Sequence, residues 1–212
     1  VTRKKSDGPV KEIRNISGIE IRAKTVEEDK KTIGGYALRY NSPTKIIDWW
    51  GDEFLEEFAQ GAFDESIQSR VVKALWNHQT SCPLGSTRSQ TLRFNEDPEG
   101  LNYDVDLPGN TWGNDAYESV KRGDVDGSSF GFITKDEKWS VIDYEGRKID
   151  KRTITRAELI EVSPCTFPAY DSSEINCRSF EEIKEKRENE KKPETNQALE
   201  IEQLRTQILL NI

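Results

Sequence analysis

The stretch Asp126-Gly127-Ser128-Ser129-Phe130-Gly131-Phe132 decides how this chain is read. As a β-strand its side chains alternate between two faces. Phe130 and Phe132 then share a face with Ser128, and two aromatic rings on one face require that face to be buried. The opposite face carries Ser129, set between Gly127 and Gly131 with little bulk around it. Glycines in a strand let a second backbone come close, which a serine nucleophile acting on a peptide needs. An ordinary half-buried strand, with glycines marking a bulge or a corner, would carry the same pattern.

Around this stretch the chain keeps alternating. Ile19 and Ile21 begin a strand, Ile33 to Tyr40 form a second, and Phe54, Leu55 and Phe58 suit a third. Gly61 to Ile67 reads as a short helix. Val71 to His78 is a β-branched run that ends in the only histidine of the protein. Leu92 with Phe94, and Leu101 to Leu107, flank the turn Asn95-Glu96-Asp97-Pro98-Glu99-Gly100 as a hairpin. Asn114 to Arg122 is predicted as a helix, with Asn114 as its cap and Gly123 just past its end. Trp139 to Tyr144 and Arg147 to Thr155 suggest a hairpin around Glu145-Gly146. Glu158 to Ser163 is a last strand, placing Leu159, Glu161 and Ser163 on one face and Glu158, Ile160 and Val162 on the other.

The ends differ from this middle. Residues 1–15 are basic and aperiodic, and are expected to be a loose arm. A folded domain is expected over 16–178. Residues 179–212 begin as a mixed-charge linker, and Ile201, Leu204 and Ile208 then recur at the spacing of a coiled-coil-like helix. The sequence contains no methionine, so a processed or trimmed start is expected.

Composition excludes several classes. A net charge of −8 argues against a nucleic-acid-binding face. Nothing approaches the roughly 18 consecutive apolar residues of a membrane span. Cys82, Cys165 and Cys177 are odd in number and lack metal-ligand spacing, which fits a reducing compartment. A single histidine leaves no room for a histidine-based zinc centre, and neither a metal nor a cofactor is expected. It suffices as a general base, and its place at a strand end holds it at a loop edge. A third group must orient the imidazole. Glu161 emerges between apolar residues and would be costly there unless paired; Glu158, on the other face, competes with it. Cys82, four residues after His78, and Cys165, just beyond Glu161, are the rival nucleophiles, although no helix N-terminus or glycine-flanked strand activates either.

Taken in order, Gly35-Tyr36-Ala37 with Tyr40-Asn41, Phe58 with Gly61-Ala62-Phe63, Trp76-Asn77-His78 with Leu84-Gly85, Arg122-Gly123-Asp124-Val125 with Ser129-Phe130-Gly131-Phe132, and Glu161-Val162-Ser163 with Phe167-Pro168-Ala169-Tyr170 resemble the prohead (capsid-maturation) protease family of tailed bacteriophages. Ser128 stands where a larger apolar residue is expected. The resemblance implies a mainly β fold with peripheral helices, a closed or nearly closed β-barrel similar to that of herpesvirus assembly proteases. It implies a serine endopeptidase with Ser129 as nucleophile, His78 as base and Glu161 as third member. Its substrates would be the major capsid protein and a scaffolding protein or scaffold segment, and also the chain itself, inside the prohead in the host cytoplasm. A homo-oligomer is compatible with this, and neither nucleic acid nor membrane is an expected partner. Residues 179–212 would then be a self-cleaved tail or the start of a scaffold segment. The alternative is a non-catalytic assembly or scaffolding protein that keeps the fold.

Overall fold

Apolar residues recur at every second position through most of the chain, and strands result. In a computed structural model of the protein, residues 10–15, 21–27, 30–47 and 51–166 are described. The order is β1 (Glu12–Asn15), β2 (Ile21–Glu27), β3 (Lys30–Arg39), β4 (Thr44–Ile47), β5 (Glu53–Phe58), α1 (Asp64–Ser69), β6 (Lys73–Trp76), β7 (Gln79–Ser86), β8 (Leu92–Asp97), β9 (Gly100–Asp106), α2 (Thr111–Arg122), β10 (Gly127–Tyr144) and β11 (Arg147–Cys165). The tail predicted over 179–212 lies outside the described residues.

Two sheets form. One is antiparallel, in the order β2-β3-β9-β8. The other runs β1-β10-β11-β5-β4, with β6 joined to β11 and β7 to β6. Their facing sides meet in one core, where Ile33, Leu38 and Tyr103 of the first sheet pack with Phe58, Phe130, Phe132 and Val162 of the second. Phe58 meets both Phe130 and Phe132 edge-on, at 5.3 and 5.2 Å between ring centroids, a favoured geometry for aromatic pairs.

The closed or nearly closed barrel is not formed. β11 uses its second edge on two separate strands, pairing in parallel with β5 at Asp150–Ile154 and with β6 at Glu161–Val162. The sheet therefore branches instead of curling shut. The helix α1 fills the gap between β5 and β6. There Ser66 Oγ accepts a hydrogen bond from the Leu159 amide at 2.7 Å, and the Ala157 amide donates to the Ala62 carbonyl at 2.8 Å.

Three local expectations also change. The strands read separately over 127–132, 139–144, 147–155 and 158–163 are one long hairpin, because bulges let β10 and β11 bend without breaking. The helix α2 starts at Thr111, and its cap is Asn110, whose side-chain oxygen accepts from the Gly113 amide at 2.9 Å. Part of the loose arm is ordered: Glu12–Asn15 adds to the edge of β10. Its alternation is inverted, with Arg14 buried and Ile13 exposed, so no apolar period marks it.

Buried charge explains that inversion. Arg14 Nε and Nη2 bind both oxygens of Glu56 at 2.5 and 3.0 Å, and Nη2 also meets Glu12 at 2.6 Å. Arg152 bridges Glu56 and Glu12, each at 2.8 Å, and reaches Glu137 at 2.6 Å. Every charge in the cluster has partners, the condition under which buried ions are tolerated.

Candidate active site

Strand alternation places the two serines as their neighbours require. Ser128 faces the core, its hydroxyl 3.2 Å from that of Tyr103. Ser129 takes the other face, and is fully buried as well. Its hydroxyl donates to the backbone carbonyl of Arg14 at 3.0 Å. Ser129 and Ser163 are cross-strand partners.

Glu161 reaches this face through a bulge. Gly131 pairs with Glu161 and Phe132 with Leu159, so Ile160 is the extra residue. Uninterrupted alternation would put Leu159 and Glu161 on one face. The bulge separates them: Leu159 and Val162 enter the core, while Glu161 turns to the Ser129 side. Bulges are a common means of re-aiming a side chain beside a functional site. Gly131 leaves the room that this needs, since a Cβ there would lie 2.6 Å from Glu161 Oε1 and 2.3 Å from Lys11 Cε.

His78 arrives on a hairpin turn between β6 and β7. Trp76 pairs with Gln79, and the two turn residues, Asn77 and His78, have φ values of 47° and 60°. Two-residue turns of this kind favour Asn followed by Gly, and Glu145-Gly146 supplies such a glycine in the β10–β11 turn. At Asn77-His78 a histidine takes the glycine position, and backbone cost of this kind concentrates at functional sites. The turn is pinned to β11 by the Asn77 amide donating to the Pro164 carbonyl at 3.1 Å and the His78 amide donating to Ser163 Oγ at 3.3 Å.

These elements bring His78 and Glu161 together, with Nδ1 2.8 Å from Oε1. An ionised carboxylate only accepts, so Nδ1 carries the proton and Nε2 is left as the basic nitrogen. Ser163 Oγ donates to Glu161 Oε2 at 2.6 Å, and Lys11 Nζ to Oε1 at 3.0 Å. Burial pushes the Glu161 carboxyl up, but the His78 hydrogen bond and charge, the Ser163 hydroxyl and the Lys11 charge outweigh it and hold it below the ordinary carboxylate range. An open cleft of about 850 Å³, lined by Lys73, Leu75, Leu84 and Ile160 among others, ends against Lys11 and Glu161.

Of the residues singled out from the sequence, His78 and Glu161 are in direct contact. Ser129 shares their sheet face but bonds to Arg14, not to His78. Glu158 lies elsewhere, in ion pairs with Lys135 at 2.9 Å and with Arg70. Cys82 Sγ lies 3.5 Å from the Gln79 side-chain oxygen. Burial, and then the Glu161 charge, push the Cys165 thiol up to about 11, which keeps it protonated and weakly nucleophilic. Lys11 and Arg14 border the site and were not singled out from the sequence, and Ser163 was named there without a role of its own. Ser163 was detectable, because it lies two residues from Glu161 on a strand; nothing in the local pattern marks Lys11 or Arg14.

A family model described as caudovirus prohead serine protease matches residues 17–186. No curated protein and no solved structure matches the chain.

Proposed function

The chain belongs to the caudovirus prohead serine protease family, and from that premise we propose that it is an endopeptidase whose nucleophile is Ser129, with His78 as base and Glu161 as the residue that orients it. The single observation that carries this assignment is the 2.8 Å contact between His78 Nδ1 and Glu161 on the sheet face that also bears Ser129.

In this reading Nε2 of His78 takes the Ser129 proton as Oγ attacks the scissile carbonyl. Glu161 stabilises the imidazolium, and backbone amides stabilise the oxyanion. The imidazolium then gives its proton to the leaving amine, and water, activated by the same nitrogen, releases the acyl group. The substrates are the scaffolding protein or scaffold segment of the capsid protein, and the chain itself, within the prohead in the host cytoplasm. Among the described residues, no helix is long and apolar enough to cross a membrane.

A second reading, an assembly protein that retains the fold without catalysis, is favoured by one observation: Ser129 is wholly buried and its hydroxyl is engaged by Arg14. Incubation with assembled proheads separates the two. Cleavage of capsid or scaffold protein by the wild type and by Cys82→Ser, with loss in Ser129→Ala and His78→Ala, supports the endopeptidase. Uncleaved proheads with the wild type support the assembly role.

A further inference from the structure

The strand β1 passes directly alongside Ser129. It runs antiparallel along the edge of β10, with Asn15 opposite Ser129 and Arg14 opposite Phe130. The Ser129 hydroxyl points at the Arg14 carbonyl oxygen, 3.0 Å away, and Ser129 is fully buried. The Arg14 side chain leaves on the other side of the sheet. Its guanidinium stands 5.4 Å from the Phe132 ring centroid and grips both oxygens of Glu56. Glu56 is 3% exposed, so a buried carboxylate and an aromatic ring form a pocket shaped for a planar cation.

Other features bear on how firmly β1 is held. Its one apolar residue faces solvent: Ile13 is 38% exposed, as is Val10 just before the strand at 40%. Charge pairs and the β10 ladder therefore hold it, rather than a share of the core. Glu56 would not be stranded without Arg14, because Arg152 binds its Oε2 at 2.8 Å. Lys11 extends across Gly131 to Glu161, putting a cation on the oxygen that His78 uses.

We propose that β1 occupies the substrate groove as a surrogate, and that true substrates displace it as extended strands carrying an arginine on the acyl side of the cleaved bond, with Glu56 as the specificity-determining residue. The groove is an example of strand addition, in which ladder hydrogen bonds supply affinity and side-chain pockets supply selectivity. Lysine is a poorer fit because it cannot present two parallel donors to the two Glu56 oxygens. The proposal rests on Ser129 being the nucleophile.

Peptidyl phosphonate diphenyl esters test both, since Ser129 Oγ would bond to phosphorus as phenol leaves. Three probes differ only in the residue next to phosphorus: arginine, leucine or glutamate analogues. The full chain is treated with each, and Ser129 modification is followed by intact mass and peptide mapping. The arginine probe is expected to react about tenfold faster than the others or more. It is expected to react faster still with Arg14→Ala, where the surrogate has lost its anchor; Arg14→Lys serves if that variant does not fold. Equal or faster modification by the leucine or glutamate probe overturns the arginine groove and leaves Ser129 as nucleophile. No modification of Ser129 by any probe, in wild type and variant alike, overturns both.

Discussion

Ser163 stands directly across from Ser129 on the adjoining strand, so two hydroxyls leave the same face of the sheet within one strand spacing. Only Ser163 touches Glu161. The proposed roles separate the two serines sharply. Ser129→Ala is expected to reduce prohead cleavage by about 10⁴-fold or more, as for loss of a nucleophile. Ser163→Ala removes a hydrogen bond to a charged group, worth roughly 1.5–3 kcal/mol, and is expected to leave measurable cleavage. Time courses of capsid-protein cleavage decide it; the reverse ranking would move the nucleophile to Ser163.

Glu161→Gln keeps the size of the side chain and loses the charge that stabilises an imidazolium. Cleavage is expected to fall by about 10³–10⁴-fold, as when a buried triad carboxylate becomes an amide. Glu158→Gln, which breaks only surface ion pairs, is expected to stay within about twofold of wild type. Comparable losses in both variants would remove Glu161 from its proposed role.

The backbone of His78 makes a prediction independent of catalysis. A left-handed conformation costs a residue bearing a Cβ roughly 1–2 kcal/mol. His78→Gly is therefore expected to be about 1 kcal/mol more stable than His78→Ala, with both inactive. Urea midpoints of the two variants measure the difference. Equal midpoints would mean that the turn stores no backbone cost.

Acid should loosen β1. Burial opposes ionisation of Glu12, yet the Arg14 charge and the Arg152 hydrogen bond and charge bring its carboxyl down from 4.5 to about 2. A depressed carboxyl stabilises the fold above its unfolded value, and that contribution is lost as pH falls toward the folded one. Wild type is thus expected to exceed Glu12→Gln in stability at pH 7, and the gap should narrow between pH 4.5 and about 2. Urea titrations of both proteins across that range check it, and a gap independent of pH would detach Glu12 from the cluster.

What the sequence disclosed depended on where ordinary alternation held. Phe130 and Phe132 mark the inward face of their strand, and that parity correctly separates Ser128, bonded to Tyr103, from Ser129 on the far side. The same rule fails three positions beyond Glu158, because the bulge at Ile160 inserts a residue that no local pattern announces. Glu161 was still identifiable, since a carboxylate among apolar residues needs a partner; its face was not. β1 was illegible for a different reason. Arg14 turns inward toward Glu56, a residue 42 positions away, so the pattern makes sense only once distant charges have met. The branched sheet likewise depends on β11 choosing two partners along one edge, a choice fixed by chain path rather than by composition.

That choice sets an order of events during synthesis. The strands β5 and β6, the turn bearing His78 and the Ser129 strand are all translated before β11, yet each leans on it. His78 and Glu161 are separated by 83 positions, and parallel pairing over such spans forms late because the intervening chain must first be closed into a loop. A nascent chain halted before residue 147 would hold a histidine and a serine with nothing to align them. Contact between His78 and Glu161 therefore waits until β11 has been synthesised and paired with β6.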